Sequence, residues 1–484
     1  MSEFSNYFKE CIHTNHINVS LLARQSGIHR TLLQKIMTGA RLPSDETFFE
    51  KVLPYMMLSL RQQEDLMSLY NIEKIGKEHY YQHMIVKSFI EHLQVRSHIE
   101  SPMLKLEIES QPKKDTYCVH DRFSLIQCIS SALGRVKVSK DPKVYLLMQD
   151  ADPSIYDFIA SALYGRSDVR FTHLLCFQSA ELTSPKQLQF NIRLCESITP
   201  MLLCGCDYHP MCYYHSNAED QSYYAPYPYV FLTEDCVINI QKDLSGAIID
   251  HEPSILNQFQ EFIDKRMAIS IPIIRQYQQP AEILMPYLQE LSKTPSTDTV
   301  YSFMQEPCIL PLFPVELTLN KLKKEIKQDT IMMDMLKKYL EMVHDHDQLI
   351  IFFTKAGLYR LMDTGRISEV PHHLYKPFTM EERLLVLKAL ITEQKKGSYH
   401  AYMINDKFSF HQDLSISVYS ENRIIFRYGI DADGSSFLLN ELSFGTILVD
   451  FFRYLPNSDM VEKQADTMLF LEHVYRQYAK HPNV

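Results

Sequence analysis

Near residue 115 the hydrophobic period of this chain changes, and the change limits the folds open to it. Before that point apolar residues recur at helical spacing. Phe4, Phe8, Cys11 and Ile12 fall on one face of a first helix, and Asn18 stands at the N-cap of a second that begins at Val19. Leu21, Leu22 and Ala23 are its apolar residues, and Gly27 supplies a sharp turn. A third helix runs from about His29 to Met37 with Leu32, Leu33 and Ile36 inward, and Thr38-Gly39 ends it. Pro43-Ser44-Asp45-Glu46 opens a fourth, carrying Phe48, Phe49, Val52 and Leu53. Residues 59–100 stay helical, with Leu60, Leu66, Leu69, Tyr70, Met84, Ile85, Phe89 and Leu93 in period among mixed charges.

After residue 115 short apolar runs alternate with helical stretches: strands at Val144 to Met148 and Val169 to Phe177, helices at Ile155 to Leu163 and Leu188 to Ile198. Tyr229 to Leu232, Cys236 to Gln241 and Gly246 to Ile249 read as a meander, followed by a helix from Ser254 to Met267. Further on, helices are predicted near 316–343, 380–395 and 459–479, and strands near 349–353, 399–404, 414–419 and 423–428. The hairpin and helix from Ile416 to Tyr454 echo the order of Val230 to Ile263, which suggests a duplicated architecture. At 484 residues, of which 45% are hydrophobic, the chain is long enough for several cores. The expected fold is an all-α head of four to five helices, a helical connector, and a large α/β body with mixed sheets. The expected boundaries are 1–58 for the head, 59–100 for a connecting or dimerising segment and 101–115 for a linker. An α/β domain at 116–267, a proline-interrupted linker at 268–299 and a second α/β domain at 300–484 complete the chain.

Charge is distributed unevenly. Lys plus Arg number 49 against 59 Asp plus Glu, a formal net charge of -10, so any contact with nucleic acid must come from a local patch. Residues 11–44 are such a patch: they hold Arg24, Arg30, Lys35 and Arg41 and no Asp or Glu. The same stretch, VSLLARQSGIHRTLLQKIMTGARLPS from Val19 to Ser44, resembles the helix-turn-helix of the Xre/Cro repressor class. Leu22, Ala23, Gly27, Ile28, Leu33, Ile36, Gly39 and Pro43 match that pattern in register without a gap. The resemblance implies a small Ala23 where two helices cross, a positive φ at Gly27 and Ile28 plugging the angle between helices. It also implies double-stranded DNA as partner. Arg30, Thr31 and Gln34 are then the residues expected to meet base edges, since Arg can pair with guanine, Gln with adenine, and Thr with a thymine methyl. Ser20, His29, Lys35, Thr38 and Arg41 are expected at phosphates. The segment after the head looks like the connector of large bacterial regulators that carry such a module ahead of an uncharacterised body.

Elsewhere the residues favour plain packing over chemistry. Cys204, Cys206, His209 and Cys212 invite zinc, but their spacing departs from the usual knuckle and fits a buried strand better. Tyr208, Tyr213, Tyr214, Tyr223, Tyr224, Tyr227 and Tyr229 could line a pocket, yet a loop packed by its own aromatics accounts for them. His344-Asp345-His346-Asp347 reads as a charged loop, and Asp431, Asp433 and Gly434 as a turn that lacks the closing glutamate of a calcium loop. The chain has no glycine-rich phosphate loop, no His-Glu-x-x-His, no Gly-x-Ser-x-Gly and no His-x-Lys-x-x-x-x-Asp of the phospholipase D type. No catalytic residue, metal or cofactor is therefore expected.

The ten cysteines show no disulfide framework, MSEFSNYFK does not read as a signal peptide, and apolar runs such as Leu349 to Phe353 fall far short of the roughly 18 residues of a membrane span. Together these lead to the expectation of a cytoplasmic bacterial transcription regulator that is not an enzyme. It would bind specific DNA sequences as a homodimer, with half-sites roughly 34 Å apart. The body would sense a small-molecule or peptide effector that changes head spacing. The alternatives from other classes are a DNA-tethered enzyme and a protein-interaction scaffold.

Overall fold

A computed structural model describes residues 2–95, 116–136, 142–149, 152–178, 185–215, 226–277, 280–346, 348–368, 370–429 and 435–480. The expected linker at 101–115 lies outside them. The chain divides into two compact units, Met1–Ile85 and Val86–Val484.

The first unit is helical: α1 (Glu3–Thr14), α2 (Val19–Ser26), α3 (Arg30–Met37), α4 (Thr47–Val52), α5 (Leu60–Ile75) and the first part of α6 (Lys77–Val95). Asn18 caps α2 as expected, its side-chain oxygen accepting from the amides of Ser20 and Leu21. Gly27 ends α2 at φ +70, a conformation that costs a residue with a Cβ about 1 kcal/mol or more. Pro43 to Glu46 precede the fourth helix without forming it; Asp45 accepts from the Thr47 amide at 2.9 Å and starts it one residue later.

Phe4, Phe8, Leu22, Leu33, Ile36, Phe49 and Val52 form a closed core. Leu66 and Tyr70 of α5 belong to the same core, with the Tyr70 ring centroid 4.9 Å from Phe49 and 5.8 Å from Phe4. Burial pushes the Tyr70 phenol up to about 12, and its hydroxyl donates to the Pro43 carbonyl. The head thus extends beyond residue 58. A capping box between Ser59 and Gln62 starts α5, which packs on the head and so differs from the connector expected at 59–100.

The second unit holds two sheets. Its elements run β1 (Tyr117–Val119), α7 (Arg122–Val136), β2 (Lys143–Leu147), α8 (Pro153–Ala162), β3 (Arg170–Gln178), α9 (Pro185–Ser197), α10 (Thr199–Leu203), β4 (Asp207–His215), β5 (Tyr229–Leu232), β6 (Val237–Ile240), β7 (Ala247–Asp250) and α11 (Pro253–Met267). They continue β8 (Ile271–Pro272), β9 (Ile274–Tyr277), α12 (Pro280–Lys293), β10 (Val300–Phe303), α13 (Val315–Lys321), α14 (Lys324–Gln328), α15 (Thr330–His344), β11 (Leu349–Thr354), α16 (Lys355–Thr364) and α17 (Met380–Lys396). The chain closes with β12 (His400–Ile404), β13 (Leu414–Ser420), β14 (Arg423–Tyr428), β15 (Ser435–Leu439), α18 (Leu442–Tyr454) and α19 (Gln464–Lys480).

The two sheets repeat one plan. The first has the order β1-β7-β6-β5-β2-β3-β4-β8 and the second β12-β11-β10-β13-β14-β15-β9. In the first, β2, β3 and β4 are parallel neighbours and an antiparallel meander, β5 to β7, attaches at β2. In the second, β10, β11 and β12 are parallel and the meander β13 to β15 attaches at β10. The strand opening each half, β1 or β9, pairs antiparallel with the last strand of its meander. The duplication suggested by the hairpin-and-helix order is therefore present as topology. Parallel strands cannot be joined by hairpins, so each trio requires crossover segments that cover its faces.

Residues 268–299 are no linker: they carry β8, β9 and α12, and β9 is an edge strand of the second sheet. The single helix expected near 316–343 is three, α13 to α15, broken at Leu322 and Asp329, whose backbones are extended. The halves meet at Tyr214 and Glu441. The Tyr214 hydroxyl donates to the fully buried Glu441 carboxylate at 2.6 Å, and its other oxygen accepts the Phe444 amide at 2.7 Å, starting α18.

The next turn of α18 rests on the β13–β14 hairpin tip, where a Cβ on Gly445 would lie 1.4 Å from the Glu421 carbonyl oxygen. Backbone cannot yield that distance, so Gly445→Ala is expected to cost more than about 3 kcal/mol of stability or to prevent folding of the second unit. Chemical denaturation checks it, and a loss under about 1 kcal/mol would contradict this packing.

Candidate functional site

The head presents one polar surface. Ser20, His29, Arg30, Thr31, Gln34, Lys35, Thr38 and Arg41 are all exposed, while Leu33 and Ile36 on the opposite side of α3 are fully buried. Arg24 is exposed as well, which keeps all four cations of the acid-free stretch at the surface. Two of the eight have local duties. The Thr38 hydroxyl lies 3.0 and 3.1 Å from the Gln34 and Lys35 carbonyls, closing the end of α3. The Ser20 amide is held by the Asn18 cap at 2.9 Å, so only its hydroxyl is left for an outside group.

A concave place lies in the second unit beyond the carboxyl ends of β10, β11 and β12, where open α/β sheets hold ligands. It is a cleft of about 910 Å³ edged by Gln305, Thr354, Lys355, Asn405, Asp406 and His411. Thr354 caps α16, accepting from the Gly357 amide at 2.9 Å, and its hydroxyl reaches Gln305 at 3.1 Å. Gln305 in turn donates to the His411 carbonyl at 3.1 Å. The His411 ring stacks on Tyr428 with centroids 5.2 Å apart, and its Nδ1 accepts the Asp413 amide at 3.2 Å. A cation, a carboxylate and an imidazole at one mouth suit a small polar molecule. They come from separate loops, so no spacing in the sequence marks them.

The other sequence candidates resolve differently. Cys204 and Cys206 precede β4 instead of lying on a strand. Both are buried with their sulfurs 3.3 Å apart, and the hydrogen bond between them lowers the Cys204 thiol and raises that of Cys206. His209 pairs with Asp207 at 2.9 Å and Cys212 is buried in β4; among the described residues these four do not gather around one point. Tyr208, Tyr213 and Tyr214 lie on β4 and Tyr229 on β5, so they are strand residues and not a loop; Tyr223 and Tyr224 lie outside the described residues. His346 donates from Nε2 to the Asp298 carbonyl at 2.9 Å, as a structural loop residue would; Asp347 is outside the described residues. Asp431, Asp433 and Gly434 are also outside them. Among the described residues no helix is long and apolar enough to cross a membrane.

No known family model matches the chain, and no curated protein matches it. Among solved structures it is similar to a polyphosphate kinase from Porphyromonas gingivalis, at 10% identity and a TM-score of 0.22, over 78% of this chain and 59% of that one. It is also similar to a phosphatidylserine synthase from Haemophilus influenzae Rd KW20, at 9% identity and a TM-score of 0.23, over 76% of this chain and 94% of that one. The chain thus spans less than two thirds of the kinase's length. Both similar structures are enzymes and neither is a DNA-binding regulator. The expectation of a sequence-specific transcription regulator with a sensing body and no enzymatic activity is corrected on that finding and carried no further. Likeness at these TM-scores assigns neither enzyme's reaction to this chain.

One buried titratable group in the body has a defined pH signature. His173 on β3 is fully buried, with Nε2 donating to the Met148 carbonyl at 2.9 Å and Nδ1 accepting from the Tyr208 hydroxyl at 2.8 Å. Burial holds its imidazole down at about 4, so the folded chain keeps it neutral. Its contribution, roughly 3 kcal/mol, is complete above the unfolded pKa near 6.5 and is lost as pH falls from there toward 4. In His173→Gln the part of the stability-versus-pH curve between about 4 and 6.5 should flatten, measured by denaturation at each pH. An unchanged slope would contradict the assignment.

Proposed function

We propose that the head docks on double-stranded DNA through α3, as its resemblance to the Xre/Cro helix-turn-helix class suggests. The unit that carries the two sheets is thereby tethered to the duplex. The proposal names a partner and a surface; control of transcription is not part of it. One observation carries it: every residue picked from the sequence for this contact is exposed, and Arg30, Thr31, Gln34 and Lys35 among them stand on a helix whose apolar side is closed by the head core.

In this arrangement α3 lies in the major groove, which admits a helix, with Arg30, Thr31 and Gln34 against base edges. His29, Lys35 and Arg41 lie at the flanking phosphates, where each neutralised phosphate releases counterion and steepens the dependence on salt. The acid-free stretch favours this placement, because a carboxylate near the phosphates would oppose it.

The test is fluorescence anisotropy of the full chain on a duplex of about 25 base pairs across a salt series. Binding should weaken linearly in log-log form, and Lys35→Ala and Arg41→Ala should each flatten the slope by about one unit. Absence of binding at about 50 mM salt and micromolar protein, or variant slopes equal to the parent's, would overturn the proposal.

A further inference from the structure

Most polar groups of the cleft beyond β10, β11 and β12 are already committed within the protein. Gln305 is 5% exposed, its amide oxygen accepting the Thr354 hydroxyl and its amide nitrogen donating to the His411 carbonyl, each at 3.1 Å. Asn405 donates to the Asp459 carbonyl at 2.9 Å and accepts the Lys407 amide at 3.0 Å. The His411 ring is engaged by Tyr428 and by the Asp413 amide. Lys355 and Asp406 differ from these. Both are exposed at the mouth, and among the described residues neither forms an ion pair, with each other or with a third group. The Lys355 ammonium lies 5.7 Å from the Phe470 ring centre, a contact that brings no negative charge. Lys407, beside Asp406 in the chain, is taken by Asp459 at 2.9 Å.

The sheet places these two charges on neighbouring strand ends. β11 and β12 are parallel, and their last registered pair is Thr354 and Ile404. Lys355 therefore follows one strand directly, and Asp406 follows the other by two residues, at strands about 4.8 Å apart. A cation and a carboxylate at one opening, left unpaired with each other, are best met by a molecule that carries both opposite charges.

We infer that this cleft binds a free aromatic α-amino acid, its carboxylate at Lys355 and its ammonium at Asp406. A purely anionic ligand would meet Asp406 as a like charge, and a purely cationic one would meet Lys355 in the same way. Phe408, Phe410 and Ile404 in the same lining supply the apolar surface on which the ring rests. The volume of about 910 Å³ lies within the roughly 300 to 1,000 Å³ of small-molecule sites and holds an amino acid of any natural size together with water. The inference concerns the second unit alone and does not rest on the proposed contact with DNA.

The experiment is calorimetric titration of the full chain with L-phenylalanine, with N-acetyl-L-phenylalanine, which lacks the ammonium, and with L-phenylalaninamide, which lacks the carboxylate. L-Phenylalanine should bind roughly tenfold tighter than either derivative. Asp406→Asn should weaken L-phenylalanine without weakening the N-acetyl derivative, and Lys355→Gln should weaken L-phenylalanine without weakening the amide. Both side chains are exposed, so neither substitution disturbs the core. The inference is overturned if L-phenylalanine fails to bind at millimolar concentration or if either derivative binds as tightly. It is overturned equally if either substitution leaves the affinity for L-phenylalanine unchanged.

Discussion

Three parallel strands, made twice, govern the larger unit. A parallel pair cannot be closed by a short turn, so β2, β3 and β4 must be joined by helices, and so must β10, β11 and β12. Those helices bury both faces, which is why LIIFFT of β11 is a nearly continuous apolar run and why β3 is buried from Phe171 to Phe177, Thr172 and His173 included. The meander then extends each sheet from the first strand of its trio, β2 or β10. Everything chemically distinctive in this unit sits relative to that plan. The open cleft lies past the carboxyl ends of the second trio, and a cavity of about 110 Å³ is walled by the trio's strands together with α12 and α15.

The head obeys a different constraint. Its core is small and rich in aromatic rings, with Phe4, Phe8, Phe48, Phe49 and Tyr70 in edge and stacked contacts around one centre. With the inner side of α3 committed to that core, its remaining residues have only solvent or a partner to meet. An anionic chain that keeps one stretch free of carboxylates, and exposes all four of its cations, has segregated charge on a scale that matters within a Debye length of about 8 Å.

Much of the fold was legible where local signals agreed. Tyr229–Leu232 and Arg423–Tyr428 are bounded by Pro228 and by the Glu421-Asn422 turn, and both strands begin and end where the pattern placed them. Val300–Phe303 was not anticipated, because it follows directly on the stretch 268–299 that was read as a linker and has no turn signal on its other side to mark it as a strand. Residues 268–299 misled for a related reason: prolines that begin α12 and sit at the end of β8 look like punctuation between domains when their tertiary partners are unseen. The candidate surface on the head was legible because all of it falls within about 20 residues. The cleft and the cavity were not. Gln305, Thr354 and His411 are brought together only by the sheet, and the alternation of Ser415 and Ser417 with Ile416 and Val418 is what a strand with one wet face would show.

The central claim is that α3 of the head is the part of this protein that meets a duplex. Hydrogen exchange of the full chain, followed by mass spectrometry with and without a DNA duplex at low salt, tests it most directly. Slower exchange should appear in peptides covering Val19 to Arg41 and leave the strands of both sheets unchanged. Slowing confined to the two-sheet unit, or none anywhere at a duplex concentration that saturates binding, would contradict the account.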